Sequence, residues 1–268
     1  MSKTIFITGA STGLGRATAI LFANKGWNVI ATMRKPENDE LAKVPGITLL
    51  PLDVTKSDQI EAAAKAALAR GPVDVVFNNA GYGLAGPLEG QTDEQIVQQI
   101  NTNLLGVIRT TKAFLSAFRE RGEGMVITTT SIGGHVTFPL NTSYHATKWA
   151  LEGWSESLAF EVAKFGIKVK TVAPGLIKTD FAGRSLVLAR HPAYEELVTK
   201  VFSAFSDPSR ASNGSTAEQI AEVVWEAATD GKDQVAYMAG EDAKGMFAQR
   251  LAQGAESFRK MISKAFMG

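Results

Sequence analysis

Cysteine is absent from the chain. Its absence excludes disulfides, thiolate nucleophiles and thiolate metal sites. Histidine occurs only three times and forms no ligand-like cluster in the sequence, so no metal is expected. Neither sign of charge prevails: 28 Lys and Arg against 27 Asp and Glu leave a formal net charge of +1. That balance gives no field to steer the protein toward nucleic acid or an anionic membrane. No uncharged apolar run approaches the ~20 residues of a membrane-spanning helix, and the opening "MSKTIFITGAS" lacks a signal-peptide pattern. The expectation is a soluble, cytoplasmic protein whose partner is a small molecule, with neither nucleic acid nor membrane involved.

What the chain does contain is apolar residues, 45% of 268, enough to bury a sizeable core in one domain spanning 1–268. Short β-branched runs recur at 4–8, 27–32, 47–52, 73–78, 125–130 and 167–174, with "QVAYMAG" as a seventh. Helix-period stretches separate them. One is "SDQIEAAAKAALARG", with Ser57 as the expected N-cap and Gly71 as the stop. Alternation of this kind predicts an α/β fold, a doubly wound parallel sheet of about seven strands with helices on both faces. Ligands of such sheets bind beyond the carboxyl ends of the strands.

Two stretches carry chemistry. The first strand runs directly into "TGASTGLG", which puts Gly9, Gly13 and Gly15 between a strand and a helix. Backbone without Cβ atoms can approach a pyrophosphate, and the free N–H groups of a helix start favour its charge. Ser11, Thr12 and Leu14 lie within the same turn. In "SYHATKWALEG", Tyr144 and Lys148 are four residues apart and leave the same face of a helix. An ammonium within about 4 to 6 Å of a phenol favours the phenolate and lowers its pKa by roughly 1 to 3 units.

The spacing of the glycines, with "LDVT", "NNAG", "NTNLLG", "TTTSIGG", "YHATK" and "PGLIKT" following in order, resembles the short-chain dehydrogenase/reductase family over roughly residues 3 to 180. The resemblance implies a single-domain Rossmann-like fold and an oxidoreductase moving hydride between NADP(H) and a carbonyl or secondary alcohol. It gives Asp53 and Val54 to the adenine side, and Asn79, Ala80 and Gly81 to the cofactor wall. Pro174, Gly175, Ile177 and Thr179 fall to the nicotinamide side. Asn103, Ser131, Tyr144 and Lys148 become the catalytic set: Tyr144 exchanges the proton, Ser131 holds the substrate oxygen, and Lys148 binds the nicotinamide ribose. Asn103 supports a proton-relaying water. After the second strand the residue in the place of the family's NAD-selecting acid is Met33, followed by Arg34 and Lys35, which favours NADP(H). Thr12 stands where many NADP-preferring relatives have a basic residue.

Residues 180–215 would form a cover over an apolar substrate, with His135, Tyr82 and Phe181 as candidate contacts beside Ser131. The tail from Asp242 reads as an amphipathic helix with Met246, Phe247, Leu251, Phe258, Met261, Ile262 and Phe266 on its apolar side, able to cover its own subunit, seal a dimer or touch a membrane surface. The resemblance also implies a homodimer or homotetramer. Two other readings stay open: a nucleotide-sugar epimerase or dehydratase, and a non-enzymatic NADP(H)-sensing scaffold.

Overall fold

The computed structural model describes residues 2–178, 185–207 and 214–268. Its centre is a seven-stranded sheet, every ladder parallel, in the order β3-β2-β1-β4-β6-β7-β9. The strands are β1 (Thr4–Ile7), β2 (Asn28–Met33), β3 (Ile47–Pro51), β4 (Val75–Asn78), β6 (Gly124–Thr129), β7 (Ile167–Pro174) and β9 (Ala236–Ala239). β1 shows why the sheet is covered twice. Ile5 and Ile7 enter one apolar cluster and Phe6, between them, enters the other, as a period of two requires. Helices α1 (Gly13–Asn24) and α7 (Ala217–Thr229) pack on the first face; α2 (Ser57–Leu68), α4 (Gly106–Arg121) and α5 (Thr142–Val162) pack on the second. The strand order reverses beside β1, with β2 on one side and β4 on the other, so a crevice opens at their carboxyl ends.

The remaining elements build one end of the molecule. A short strand β5 (Gly83–Ala85) pairs in parallel with β8 (Leu186–Leu188), tying the described part of the expected cover to the chain just after β4. α3 (Asp93–Ile100) runs through a π-helical turn at Asn101–Leu105 into α4, and α6 (Glu195–Phe205) buries Val198 and Val201. The tail is two helices, α8 (Glu241–Gln253) and α9 (Ala255–Met267), rather than the single helix expected. Gly254 at φ +78° makes the break, a left-handed conformation that other residues rarely adopt. Leu251, which the apolar stripe included, is 69% exposed. Phe258, Ile262 and Phe266 are buried against Val198, Val201 and Ile132, so the tail covers its own chain. At α2 the cap differs as well: Ser57 is the first helical residue and Lys56, without a side-chain cap, precedes it.

Polar groups buried in this frame must be paired, and Lys170 on β7 shows how. Its ammonium donates to Asp230 Oδ1 at 2.7 Å and to the Tyr237 hydroxyl at 2.8 Å, while that hydroxyl donates to Asp230 Oδ2 at 2.7 Å. The closed triangle fastens the end of α7 to β7 and β9. Burial pushes the Asp230 carboxyl up, but the hydrogen bonds from Lys170 and Tyr237 prevail and hold it at about 2. A carboxyl depressed in the folded state stabilises fully above its unfolded value of about 3.9 and loses that contribution as pH falls through about 2. Lys170→Met should deprive the Asp230 carboxylate of its nearest cation, leaving it the Tyr237 hydroxyl and Lys232, and cost about 2 kcal/mol in urea unfolding. The same variant should also flatten the dependence of Tm on pH between about 4 and 2; an unchanged urea midpoint would show that the triangle contributes nothing.

Candidate active site

At the carboxyl end of β1 the chain turns through Gly9 and enters α1 at Gly13. Gly15 lies so close to the turn that a Cβ would fall 2.4 Å from the Gly9 carbonyl and 2.5 Å from Asn79 Nδ2. Thr12 precedes the helix in an extended conformation and offers no side-chain cap, which leaves the first N–H groups of α1 for an external acceptor. Ser11 and Thr12 are exposed and Gly13 is half-buried, while Leu14 turns its side chain into the core and presents only backbone. The turn is braced from β4. Thr8 Oγ1 accepts the N–H groups of Asn79 and Ala80 at 3.0 Å each, and Asn79 Nδ2 donates to the carbonyls of Thr8 and Gly9 at 3.2 and 3.1 Å. Thr129 on β6 donates to Asn79 Oδ1 at 3.3 Å. Thr8 and Thr129 did not emerge from the sequence, because a threonine at a strand end carries no signal of what its hydroxyl will meet.

Tyr144 and Lys148 lie on α5 as the spacing predicts. Ser131 reaches them because the turn after β6 is glycine: a Cβ on Gly133 would sit 2.9 Å from the His145 ring, and one on Gly134 2.9 Å from the Lys148 carbonyl. Ser131 Oγ accepts the Gly133 N–H at 3.0 Å and its hydroxyl is hydrogen-bonded to the Tyr144 phenol. The ammonium of Lys148 stands 5.7 Å from the centre of the tyrosine ring and donates to the Thr129 carbonyl at 2.9 Å. The expected lowering of the phenol is overturned in this arrangement. Tyr144 keeps some accessible surface, but the loss of water around it raises its pKa, and the Ser131 hydrogen bond pulling the other way does not compensate. Burial also brings Lys148 down to about 8, against the opposing pull of Glu152, so the cation itself is weakened.

Asn103 sits in the π-helical turn, buried. Its Oδ1 accepts the Tyr82 N–H at 3.0 Å and its Nδ2 donates to the Tyr82 carbonyl at 2.8 Å, so its side chain clamps the chain after Gly81. Tyr82 is half-buried and its phenol is raised by the loss of water. Val54 is buried, and Asp53 accepts from Thr55, with Arg34 near enough to help hold its carboxyl low against burial. Met33 is buried, while Arg34 and Lys35 are exposed at the end of β2. Pro174 ends β7, and Gly175 and Ile177 follow, stitched to the chain ahead of α7 by the Ile177–Ser215 bridge. Leu176 N–H donates to Asp242 Oδ2 at 2.7 Å, a clamp that sequence spacing did not suggest. His135 meets Glu152 and the Phe247 ring. Thr179 and Phe181 lie outside the described residues. Among the described residues no group of three or more His, Asp or Glu side chains is placed to hold a metal, and no helix is long and apolar enough to cross a membrane.

A family model described as short chain dehydrogenase matches residues 3–186. The chain belongs to the short-chain dehydrogenase family. Short-chain dehydrogenases are oxidoreductases that use a nicotinamide cofactor, and this chain shares their parallel sheet and its crevice. An oxidoreductase of Botryotinia fuckeliana is 36% identical over 272 residues, covering 97% of this chain and 98% of its own length. A 3-ketodihydrosphingosine reductase of Bacteroides thetaiotaomicron is 42% identical over 178 residues, 66% of this chain and 65% of its own. Among solved structures, a short-chain dehydrogenase from Streptomyces avermitilis superposes with a TM-score of 0.85 at 34% identity, covering 98% of this chain and 96% of its own. ElxO with NADP bound gives 0.77 at 28%, covering 91% and 100%.

The close packing at the glycine turn yields a test. Gly15→Ala should push the Gly9 carbonyl and Asn79 apart. NADPH affinity, followed by fluorescence titration, is expected to fall at least about tenfold, the equivalent of about 1.4 kcal/mol. Unchanged affinity would show that the turn is no dinucleotide cradle.

Proposed function

We propose that this short-chain dehydrogenase reduces the carbonyl group of a fairly apolar small molecule with NADPH, and oxidises the alcohol in reverse, with Tyr144 as general acid and base. The observation that carries the reading is the convergence of Ser131, Tyr144 and Lys148 at the carboxyl end of the sheet. The crevice fits a dinucleotide: Gly9, Gly13 and Gly15 leave the room a pyrophosphate needs, α1 starts without a side-chain cap, and Asn79, Ala80 and Gly81 form the adjoining wall. The nicotinamide, when bound, supplies and receives the hydride. Pro174, Gly175, Ile177 and Thr179 would flank it, with Asp53 and Val54 at the adenine.

Within this reading the phenol of Tyr144 gives its proton to the carbonyl oxygen; burial keeps that proton on the phenol at neutral pH, and the Lys148 charge is what eases its transfer. Ser131 steadies that oxygen. Lys148 holds the ribose and supplies positive charge beside the phenol, a role that needs its proton and so weakens above pH 8. Asn103, through its clamp on Tyr82, fixes the loop between the cofactor wall and β5.

NADPH is preferred over NADH because Met33 presents no carboxylate to repel a 2′-phosphate, while Arg34 and Lys35 offer cations nearby. Arg16 is already engaged with Asp39 at 2.9 Å. Bound NADP in ElxO accords with the preference. The cluster of Phe138, Phe202, Met246 and Phe247 around Ile132 and Val136 supports an apolar substrate. The reductase from Bacteroides, whose name specifies a keto group, supports that class. His135, Tyr82 and Phe181 remain proposed contacts, and a homodimer or homotetramer the proposed assembly.

Tyr144→Phe keeps the ring and deletes the proton. It should lower NADPH-dependent reduction of a ketone or quinone panel by roughly 10²–10⁴-fold with NADPH binding retained. Turnover near that of the wild type would remove the mechanism. In the wild type, kcat/KM for NADPH should fall as pH rises through about 8, where Lys148 loses its proton. Arg34→Asp should shift the kcat/KM ratio toward NADH; an unchanged ratio would dismiss Arg34 as the selector.

A further inference from the structure

Glu152 is buried on α5, one helical turn beyond Lys148. A carboxylate in that position is costly unless other groups hold it. Thr171 on β7 donates to its Oε2 at 3.0 Å. His135 Nε2, from the turn after β6, stands 3.1 Å from Oε1, off the alignment of a regular hydrogen bond, and neither atom has another partner. The contact needs one proton between the two atoms, and one on Nε2 would orient the imidazole toward the carboxylate. Phe247 of α8 packs edge-on against the imidazole with ring centres 5.0 Å apart. Gly134 permits the approach, since a Cβ there would lie 3.0 Å from Glu152 Cγ. Carbonyl reduction as described above gives Glu152 no role.

Among the described residues, the charged and titratable groups nearest the carboxylate are Lys148 on its own helix and His135 from the turn, with the Thr171 hydroxyl on the sheet side. Lys148 faces Tyr144 and the Thr129 carbonyl, and Glu152 follows it by one turn on the same side of α5, buried as it is. We propose that Glu152 is a positioning residue that acts through Lys148: its carboxylate, pinned by Thr171 and His135, keeps the buried ammonium charged. The role rests on the function proposed for Lys148. Burial alone draws Lys148 down, and Glu152 is the charge that resists. Loss of that charge would leave more of the lysine neutral near physiological pH, and the hold on a nicotinamide ribose would weaken with it.

The test uses the full chain without cofactor, carrying ¹³C at lysine Cε, and follows Lys148 by NMR against pH in the wild type, Glu152→Gln and Thr171→Val. The wild-type midpoint should lie near 8. Glu152→Gln preserves shape and the acceptor for Thr171, and should lower the midpoint by about one unit, a tenfold change in acid constant. Thr171→Val should lower it by less. NADPH titration should show Glu152→Gln binding like the wild type at pH 6 and about fivefold more weakly at pH 8. An unmoved Lys148 midpoint in folded Glu152→Gln overturns the proposal; if that variant does not fold, an unmoved midpoint in Thr171→Val does so. Because the lysine titration requires no turnover, its failure is separate from that of Tyr144→Phe: the first removes the coupling, the second the hydride chemistry.

Discussion

Three strand ends are laced together by the side chain of Asn79, and the crevice inherits its shape from that lacing. Its amide reaches back to the Thr8 and Gly9 carbonyls on β1, its oxygen receives Thr129 from β6, and its own N–H goes to Thr8. Each bond is modest by itself, of order 1 kcal/mol net. Together they set how far the glycine turn stands from the chain that follows β4, and thereby the space open to a ligand. The Thr129 carbonyl then accepts the Lys148 ammonium. One residue of β6 thus connects the cradle to the tyrosine and lysine on α5.

The two buried lysines show how burial and partnership divide structural from reactive charge. Lys170 has a carboxylate and a phenol within 2.8 Å, and its triangle is closed. Lys148 has one carbonyl at hydrogen-bond distance, and its nearest compensating charge lies a helical turn away. Lys170 is held by a closed set of partners, whereas burial brings the less compensated Lys148 ammonium down to about 8. The second condition is the one a proton-handling site needs.

Much of the frame was legible in the sequence because its causes are local. β-Branched runs between amphipathic stretches placed all seven strands of the main sheet within a residue or two. The glycine turn and the tyrosine–lysine spacing put the candidate site at the strand ends, since helical periodicity determines which residues share a face. What was missed depends on distant neighbours. Ser57 looked like a cap by residue type, yet Lys56 took the position. The tail's apolar stripe concealed the break at Gly254. The balance of burial against charge at Tyr144 depends on how much water the fold removes, which spacing cannot reveal. The partners of Glu152 lie 17 residues before it and 19 after it, and nothing in either stretch announces the meeting.

The ladder between β5 and β8 joins the proposed cover to the body through backbone hydrogen bonds, with Gly83 opposite Leu186 and Ala85 opposite Leu188. Such a seam is indifferent to side-chain identity but sensitive to parity: a one-residue slip would exchange the half-buried Leu186 and Leu188 for the more exposed Val187. Insertions elsewhere in the chain after β7 can therefore be accommodated without disturbing α5, provided they spare this three-residue splice.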